Sequence, residues 1–452
     1  MSVTQDQELL RRISPELLGS ALRFPALYRV YQESYAERPP AEALRERQTA
    51  RLSRLLREVL TDVPALRAHG LDRSTEPFQL LAALPTMSKA DIVADLAAHV
   101  SDRLQPTACV AVTTSGTTGV PLRIIHTHEH LIQSGAAELA RQLRYGLPFD
   151  RKTLQPFKLG GAAWTEYTVV NTGFTRVAEF GFLTDATATE RADVARRCVA
   201  FGPDAVFSHP SRIADLVDLL RDGGVASLPV RVVRTFGETL TPPVRTLIEA
   251  FFETTVRDQY ALNEVSTVAA ECTSGRMHID ADRLWVELLA PDGSPAPAGM
   301  PGEVTVTNFF NTAMPFVRYR TGDIAAWSTD SCDCGDPAPV LGLIAGRDPG
   351  RITFPDGTAI DALRVVRALE HAPLSKVQVV QNETGLVVLA VPLPAERRID
   401  WQSDTAAKVH AVVGDRLQVT VREAADSDFR RSGNREKTPA FVSLLAPSNG
   451  RR

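Results

Sequence analysis

Cysteine is scarce in this sequence, and long apolar runs are missing from it. Only 5 of the 452 residues are cysteine, too few for a disulfide-based scaffold, and in a reducing compartment they would serve as thiols or metal ligands. No apolar run approaches the ~20 residues that span a membrane, so no membrane partner is expected. The polar residues from Met1 to Asp6 lack the apolar core of a signal peptide. Together these absences predict a cytoplasmic protein.

A large excess of charge of one sign is also missing. The 50 lysines and arginines nearly balance 54 aspartates and glutamates, which leaves a formal net charge of −4. Nonspecific nucleic-acid binding requires a basic field, so a nucleic-acid partner is not expected. The hydrophobic share of 44% and the charged share of 23% are those of ordinary globular proteins. A chain of this length is sufficient for two or three domains.

The pattern of apolar residues predicts an α/β fold class. In residues 1–100 the apolar residues mostly recur at helical spacing. From about 105 onward, short β-branched runs alternate with amphipathic helices. Val230–Phe236 is predicted to be a strand and Ser211–Arg221 a helix. This alternation predicts sheets that are covered by helices.

A domain boundary is predicted near residue 347. The N-terminal domain would span residues 1–347, with a helical region at 1–100 and a core at 101–347. Residues 348–452 would form a smaller α+β domain, which is long enough for its own hydrophobic core. A helix early in this second domain is predicted from apolar residues at helical spacing, namely Ile360, Leu363, Val366 and Leu369.

A hydroxyl-rich loop with two glycines follows the apolar run Ala108–Val112. Its residues are Thr113, Thr114, Ser115, Gly116, Thr117, Thr118, Gly119, Val120 and Pro121. The glycines let the backbone approach a ligand closely, and hydroxyls and amide N–H groups can surround phosphate oxygens. It is not a Walker A loop, because no Gly-Lys-Ser/Thr follows and position 122 is Leu. On local grounds alone, a phosphate loop and a polar turn after a strand are equally good interpretations.

Several further motifs follow this loop in a fixed order. They are Phe236-Gly237-Glu238-Thr239, Gln259-Tyr260-Ala261-Leu262-Asn263-Glu264, Arg318-Tyr319-Arg320-Thr321-Gly322-Asp323, Gly346-Arg347-Asp348 and a late Lys437. In this order and spacing, the chain resembles the adenylate-forming ligase superfamily, and within it the phenylacetate–CoA ligase group, from about Gln48 to Phe441. The resemblance implies a large N-terminal domain with helix-covered sheets and a small, mobile α+β lid domain. It also implies an enzyme that forms AMP and pyrophosphate.

The resemblance implies a nucleotide site with named residues. The β- and γ-phosphates of ATP would be bound by Ser115, Gly116, Thr117, Thr118 and Gly119. The remaining nucleotide contacts would come from Gly237, Glu238, Asp258, Gln259, Tyr260 and Asp323. A carboxylate accepts two hydrogen bonds, so Asp323 can hold both ribose hydroxyls, although an ordinary turn aspartate would also fit there.

The charged groups implied for catalysis are Glu264, Arg347 and Lys437. Adenylation brings a carboxylate to the α-phosphate of ATP, so the site must supply positive charge. Glu264 would bind Mg²⁺, a hard cation that prefers oxygen, although Ala261 replaces the glycine usual in that motif. Arg347 would add fixed positive charge near the phosphates. Lys437 would enter the site on a loop of the lid, with Arg435 as a competitor for this role.

Three cysteines and one histidine suggest a metal site. Cys272 and His278 form Cys-x5-His, and Cys332 and Cys334 form Cys-x-Cys. Three thiolates and one imidazole complete a tetrahedral zinc set with no open position, so the zinc would be structural. The alternative is four unconnected residues. The remaining thiols, Cys109 and Cys198, are expected in the core.

The substrate pocket is the least specified part of the resemblance. It would lie between the helix near 130–140 and the segments around 209 and 235–265, and its candidate walls are Trp164, Phe207, His209, Phe236 and Tyr260. Each of these aromatic residues could equally belong to the core. The resemblance implies a small, aromatic carboxylic acid as substrate. CoA, a carrier-protein thiol or an amine would accept the acyl group, and a homodimer is compatible with the sequence.

One departure from the superfamily pattern affects the predicted hinge. Pro349 stands where the superfamily usually has Asp or Lys, and proline fixes φ and restricts Asp348 before it. Gly350 could absorb the rotation instead. Two alternative functions also stay open. The enzyme could activate nitrite for diazotisation or nitrosation of an aryl amine, or the chain could be an inactive nucleotide-binding homologue.

Overall fold

The computed structural model describes residues 15–113, 121–156, 164–170, 172–181, 187–347, 350–393, 400–430 and 439–445. The α-helices of these ranges are Pro15–Val30 (α1), Ala41–Asp62 (α2), Pro64–Arg67 (α3), Pro77–Ala83 (α4), Lys89–Ala94 (α5), His128–Arg144 (α6), Ala188–Phe201 (α7), Pro210–Asp222 (α8), Pro242–Phe252 (α9), Leu363–Leu369 (α10) and Trp401–Val413 (α11). None of the helices in these ranges combines the length and the apolar character that crossing a membrane requires.

Twenty strands accompany the helices in the same ranges. They are Cys109–Thr113 (β1), Arg123–Thr127 (β2), Asp150–Pro156 (β3), Thr165–Val170 (β4), Phe174–Phe180 (β5), Ala205–Ser208 (β6), Val232–Phe236 (β7), Val256–Leu262 (β8), Ser266–Glu271 (β9), Met277–Ile279 (β10), Leu284–Leu289 (β11), Gly302–Asn308 (β12), Tyr319–Trp327 (β13), Val340–Arg347 (β14), Arg351–Thr353 (β15), Ala359–Asp361 (β16), Leu374–Asn382 (β17), Gly385–Pro392 (β18), Gln418–Glu423 (β19) and Phe441–Ser443 (β20). This mixture confirms the predicted α/β fold class.

A twelve-stranded sheet organises the chain up to Arg347. Its strand order is β11-β12-β13-β14-β10-β9-β8-β7-β6-β3-β5-β4. Five adjacent strands of this sheet are parallel to one another, namely β8, β7, β6, β3 and β5. Their carboxyl ends therefore lie at the same edge of the sheet. Ligands of open α/β sheets bind outside this edge, and the predicted site residues of β6, β7 and β8 lie there.

Helices cover both faces of this parallel region. On one face, α7, α8 and α9 bury apolar residues such as Ile213 and Phe251 against Val206 and Val233 of the strands. On the other face lies α6, whose Glu138 pairs with Arg234 of β7. Alternate residues of a strand point to opposite faces, so Val233 and Arg234 meet different helices. The two faces therefore differ in chemistry, one apolar and the other charged.

The chain beyond Arg347 forms a second sheet with its own core. Its four strands have the order β19-β18-β17-β20. Apolar residues of β17, β18, α10 and α11 make this core, among them Val365, Val388 and Val409. The helix predicted from Ile360 onward begins only at Leu363, because Ile360 pairs with Ile352 in the hairpin of β15 and β16. The spacing of these apolar residues fits a hairpin as well as a helix.

Candidate active site

Part of the predicted site lies outside the described residues. This applies to Ser115, Gly116, Thr117, Thr118 and Gly119 of the predicted phosphate loop, to Lys437, and to Pro349 of the predicted hinge. The loop segment connects β1 and β2, which pair antiparallel from Cys109 opposite Thr127 to Thr113 opposite Arg123. Arg347 ends β14 and its backbone pairs with Asp323 of β13. The strand pairing therefore sets two of the predicted residues side by side.

Tyr260 and Asp323 come together although 63 positions separate them. The Tyr260 hydroxyl donates a 2.6 Å hydrogen bond to Asp323 Oδ2. The strands β14, β10 and β9 lie between β8 and β13, and a flat sheet would hold the two residues roughly 19 Å apart. The sheet must therefore curl so that β8 and β13 face each other across its concave side.

This contact orients both side chains. Burial, reinforced by the Asp323 carboxylate, raises the pKa of Tyr260 well above its usual value, so the phenol remains a donor. Asp323 is 7% exposed and its backbone N–H donates to Thr321 Oγ1 at 3.1 Å. One carboxylate oxygen receives the Tyr260 hydrogen bond, and a carboxylate can accept several hydrogen bonds at once.

Glu264 is held by a residue of the motif that contains Asp323. The Tyr319 hydroxyl donates to Glu264 Oε1 at 3.1 Å, and the Tyr319 ring packs edge-on against Phe316 at 5.0 Å between centroids. Tyr319 is 2% exposed, so its position is fixed by packing. A carboxylate with one restrained oxygen suits the oxygen ligation that Mg²⁺ prefers.

The ends of β6 and β7 bring His209 and Phe236 together. His209 Nδ1 donates to the Phe236 carbonyl at 2.9 Å, and the two rings lie 4.6 Å apart between centroids. Gly237 has a φ of +77°, and a Cβ there would lie 2.7 Å from His209 Cε1. Only glycine fits this turn without displacing the imidazole. Glu238 Oε2 accepts from the Ser211 N–H at 3.3 Å, at the start of α8.

Trp164 is not brought to this cluster. Its indole stacks on Phe180 at 5.3 Å between centroids and meets Phe201 edge-on, while its N–H donates to Glu166. It immediately precedes β4, and two strands lie between β4 and β6, so roughly 14 Å of sheet separates it from His209. This geometry does not support the prediction that Trp164 lines a pocket together with His209 and Phe236.

Asp258 and Gln259 contact β7 on opposite faces. Asp258 Oδ1 accepts from the Thr235 hydroxyl at 2.6 Å, and burial raises the pKa of Asp258 to about 7. Gln259 Oε1 accepts from Arg234 Nη2 at 2.7 Å, on the face covered by α6. The sequence motifs do not include Arg234, although a charged residue inside the apolar run of β7 is a signal that could have identified it.

The four predicted metal ligands converge. The side-chain donor atoms of Cys272, His278, Cys332 and Cys334 all lie within 4.8 Å of one another. Cys272 Sγ and Cys332 Sγ are 3.6 Å apart, and Cys334 Sγ is 3.4 Å from His278 Nε2. A tetrahedral zinc ion with Zn–S bonds of about 2.3 Å would separate its sulfur ligands by about 3.8 Å. The donor set and its spacing therefore fit zinc.

The surroundings of the cluster orient its ligands. His278 Nδ1 donates to the Ala338 carbonyl at 2.8 Å, which leaves the Nε2 lone pair facing the thiols. The N–H groups of Ser274 and Arg276 point at Cys272 Sγ from 3.3 and 3.4 Å. Pairing of β10 with β14 closes the long sequence gap between the two halves of the cluster.

Comparison with known proteins identifies the family of this chain. The family described as "AMP-binding enzyme" matches residues 34–312, and the chain belongs to this family. It is an adenylate-forming ligase, and its homologues include phenylacetate–CoA ligases. The chain is 26% identical over 325 residues to the phenylacetate-coenzyme A ligase of Thermus thermophilus, covering 68% of this chain and 71% of that protein. The resemblance inferred from the motifs is therefore confirmed.

Two further relatives extend the comparison. The phenylacetate-coenzyme A ligase of Escherichia coli is 33% identical over 223 residues, which cover 46% of this chain and 49% of that protein. Among solved structures, 2-hydroxyisobutyryl-CoA ligase in the postadenylation state with its acyl-adenylate aligns with a TM-score of 0.71 at 17% identity. The alignment covers 90% of this chain and 91% of that one. At this identity the structural likeness shows the fold.

Proposed function

We propose that the protein uses ATP and Mg²⁺ to activate a small aromatic carboxylic acid as its acyl-adenylate, and that CoA then accepts the acyl group. The observation that carries the proposal is the contact between Tyr260 and Asp323, next to the parallel-strand edge that holds His209 and Phe236. A carboxylate suited to accept ribose hydroxyls and a neighbouring aromatic surface are what an enzyme that joins a nucleotide to an aryl acid requires, and this supports the proposal. The names of the phenylacetate-coenzyme A ligase homologues support CoA as the acceptor.

In the first step, a carboxylate oxygen of the acid attacks the α-phosphorus of ATP. The bond from that phosphorus to the bridging oxygen breaks, and pyrophosphate leaves. Asp323 would orient the ribose, with Tyr260 fixing the carboxylate. Glu264, restrained by Tyr319, would hold Mg²⁺, which when bound neutralises phosphate charge. In the second step a thiolate attacks the acyl carbon, and AMP leaves.

Asp323→Ala is expected to weaken ATP binding by about 10- to 100-fold, because a charged acceptor for the ribose hydroxyls is lost. Calorimetric titration of ATP measures this, with thermal unfolding to confirm that the variant is folded. Tyr260→Phe keeps the aromatic ring and the carboxylate but removes one hydrogen bond, so it should have a smaller effect. An unchanged ATP affinity in Asp323→Ala would count against the nucleotide site as assigned.

The hinge is proposed to limit acyl transfer. Gly350 has a φ of +85°, a left-handed conformation that side chains rarely adopt, directly after Pro349. If the proline restrains rotation, the wild type should form adenylate readily and transfer the acyl group to CoA slowly. Pro349→Asp should then raise the transfer rate without raising the rate of adenylation. Single-turnover measurement of both steps checks this, and rapid transfer by the wild type that Pro349→Asp leaves unaltered would refute it.

We also propose a structural zinc ion at Cys272, His278, Cys332 and Cys334. Three thiols packed this closely would repel one another once ionised, and a divalent cation removes that repulsion. All four positions of a tetrahedral ion would be filled by protein, so the zinc would stabilise the junction of the β9–β10 turn with the loop after β13. It would take no part in adenylation.

The activity is tested by pyrophosphate release from ATP with a panel of aryl acids, each with and without CoA. Release that depends on an aryl acid, followed by thioester formation with CoA, is the expected result. Replacing the acid with nitrite and an aryl amine tests the diazotisation alternative in the same assay. Release with nitrite alone among these substrates would overturn the proposal, and no release with any of them would indicate an inactive homologue.

A further inference from the structure

Three aromatic rings at the middle of the large sheet are only half-buried. Phe207 and Phe236 stack at 4.7 Å between centroids, and His209 packs against Phe236. They lie at the carboxyl ends of β6 and β7, on the face that α6 covers. Apolar rings on a helix-covered face of a sheet are normally buried. Their partial exposure leaves room for a cleft between α6 and the strand ends.

Arg234 lies at the floor of this cleft. It is two positions before Phe236 in β7, so both side chains point to the same face. Its guanidinium carbon is 4.8 Å from the Phe207 ring centroid, and Arg234 is 6% exposed. Burying a guanidinium inside a strand costs desolvation free energy that apolar residues of similar size would avoid. A residue retained at that cost is a candidate for a functional role.

The partners of Arg234 hold it in place. Its Nη2 donates to Gln259 Oε1 at 2.7 Å and to Glu138 of α6. Glu138 also accepts from Gln142 at 2.7 Å and from Arg141 at 3.1 Å. Burial alone would raise the pKa of Glu138, but Arg234 and Arg141 outweigh it and lower that pKa to about 2. The carboxylate therefore stays ionised and fully engaged with protein donors.

The guanidinium retains capacity for a ligand. Among the described residues, Nη2 makes both hydrogen bonds of Arg234, and the N–H groups on Nη1 and Nε remain for another acceptor. The ion pairs beneath α6 comprise three cations, Arg141, Arg234 and Arg283, and two anions, Glu138 and Asp280. Within these ion pairs the cations outnumber the anions, which favours an acceptor of anionic character.

The distance from Arg234 to the strand end suits one aromatic ring. Arg234 and Phe236 are two positions apart in an extended strand, so about 7 Å separates them along it. A ring that stacks beside Phe207 and Phe236 would direct one substituent towards the strand edge and the opposite one towards Arg234. An acid activated at the edge would therefore present its far side to the guanidinium.

We propose that Arg234, fixed by Glu138 and Gln259, is the specificity-determining residue of the acyl pocket. It selects an aromatic carboxylic acid whose ring carries a second oxygen acceptor, a hydroxyl or another carboxylate, remote from the carboxylate that is activated. The inference rests on the proposed function and names its substrate class. An unsubstituted ring would leave the guanidinium donors unsatisfied in a desolvated site, so it should be a poor substrate.

The wild type alone can decide the proposal. We expect kcat/KM for pyrophosphate release to be at least about 10-fold higher with 3- or 4-hydroxybenzoate, or with terephthalate, than with benzoate or phenylacetate, because a hydrogen bond to a charged donor is gained. The hydroxyl and dicarboxylate arms identify which acceptor is used. Equal or higher kcat/KM with benzoate would overturn this inference and leave the proposed function intact, whereas no release with any acid would refute the proposed function itself.

Arg234→Met then tests the residue. In this variant, the ratio of kcat/KM for the substituted acid to kcat/KM for the unsubstituted acid should fall to about 1 or below. Arg234→Lys keeps the charge without the planar fork, so it should retain part of the preference. Arg245→Met is the matched control, because Arg245 is an ion-paired arginine of α9 beside Glu271 on the opposite face. The Arg245→Met variant should prefer the substituted acid by the same factor as the wild type. A preference unchanged in a folded Arg234→Met would contradict the assignment.

Discussion

Protein purified without chelator is expected to contain about one zinc ion per chain, and Cys272→Ser is expected to lower the free energy of unfolding by roughly 4 kcal/mol or more. Cys272 is buried and its Sγ is 3.6 Å from Cys332 Sγ, so its loss opens the coordination sphere and removes metal-linked folding free energy. Elemental analysis and denaturant unfolding measure the two effects.

The matched control is Cys109→Ser. Cys109 is a half-buried thiol in β1 that is not part of the metal cluster. This variant should keep the zinc and lose little stability. The cluster would be shown to bind no structural zinc if the wild type lacked the metal, or if Cys272→Ser and Cys109→Ser lost the same small amount of stability.

Lys437→Ala is expected to reduce the rate of adenylation by about 10²–10³, the loss that follows removal of one preorganised charge-stabilising donor. ATP affinity should change little, because the interaction would form mainly in the transition state. Lys437 lies outside the described residues, so this prediction rests on the sequence. Single-turnover acyl-adenylate formation and ATP titration separate the two effects.

The neighbouring Arg435 provides the control for that experiment. If Lys437 performs the role, Arg435→Ala should leave the adenylation rate within a few-fold of the wild type. A larger loss in Arg435→Ala than in Lys437→Ala would transfer the role to the arginine. Full activity in both variants would mean that neither side chain stabilises the transferring phosphoryl group.

Local patterns are sufficient for much of the secondary structure. The predicted strand Val230–Phe236 is Val232–Phe236, and the predicted helix Ser211–Arg221 is Pro210–Asp222. The helix has apolar residues at helical spacing and the strand is rich in β-branched residues, so local sequence is sufficient for both. Ile360 shows the limit, because its apolar side chain fits a helix face and a hairpin equally well, and only the pairing with Ile352 decides between them.

Contacts between distant strands cannot be obtained from the sequence. The motifs name Tyr260 and Asp323 separately, but only the curl of the sheet brings them within 2.6 Å of each other. The metal ligands can be named, yet their convergence depends on β10 pairing with β14. Trp164 qualifies as a pocket wall by its aromatic character, which does not determine whether it faces a pocket or packs against Phe180. Whether an aromatic side chain is buried depends on the arrangement of the whole sheet.

The central claim is that a carboxylate of the substrate attacks the α-phosphorus of ATP. Supplying an aryl acid labelled with ¹⁸O in its carboxylate, and analysing the products of acyl transfer by mass spectrometry, tests this most directly. The account predicts one ¹⁸O atom in AMP and none in pyrophosphate, because the attacking oxygen remains on phosphorus when the acyl group departs. Label in inorganic phosphate, or AMP formed without label, would contradict it.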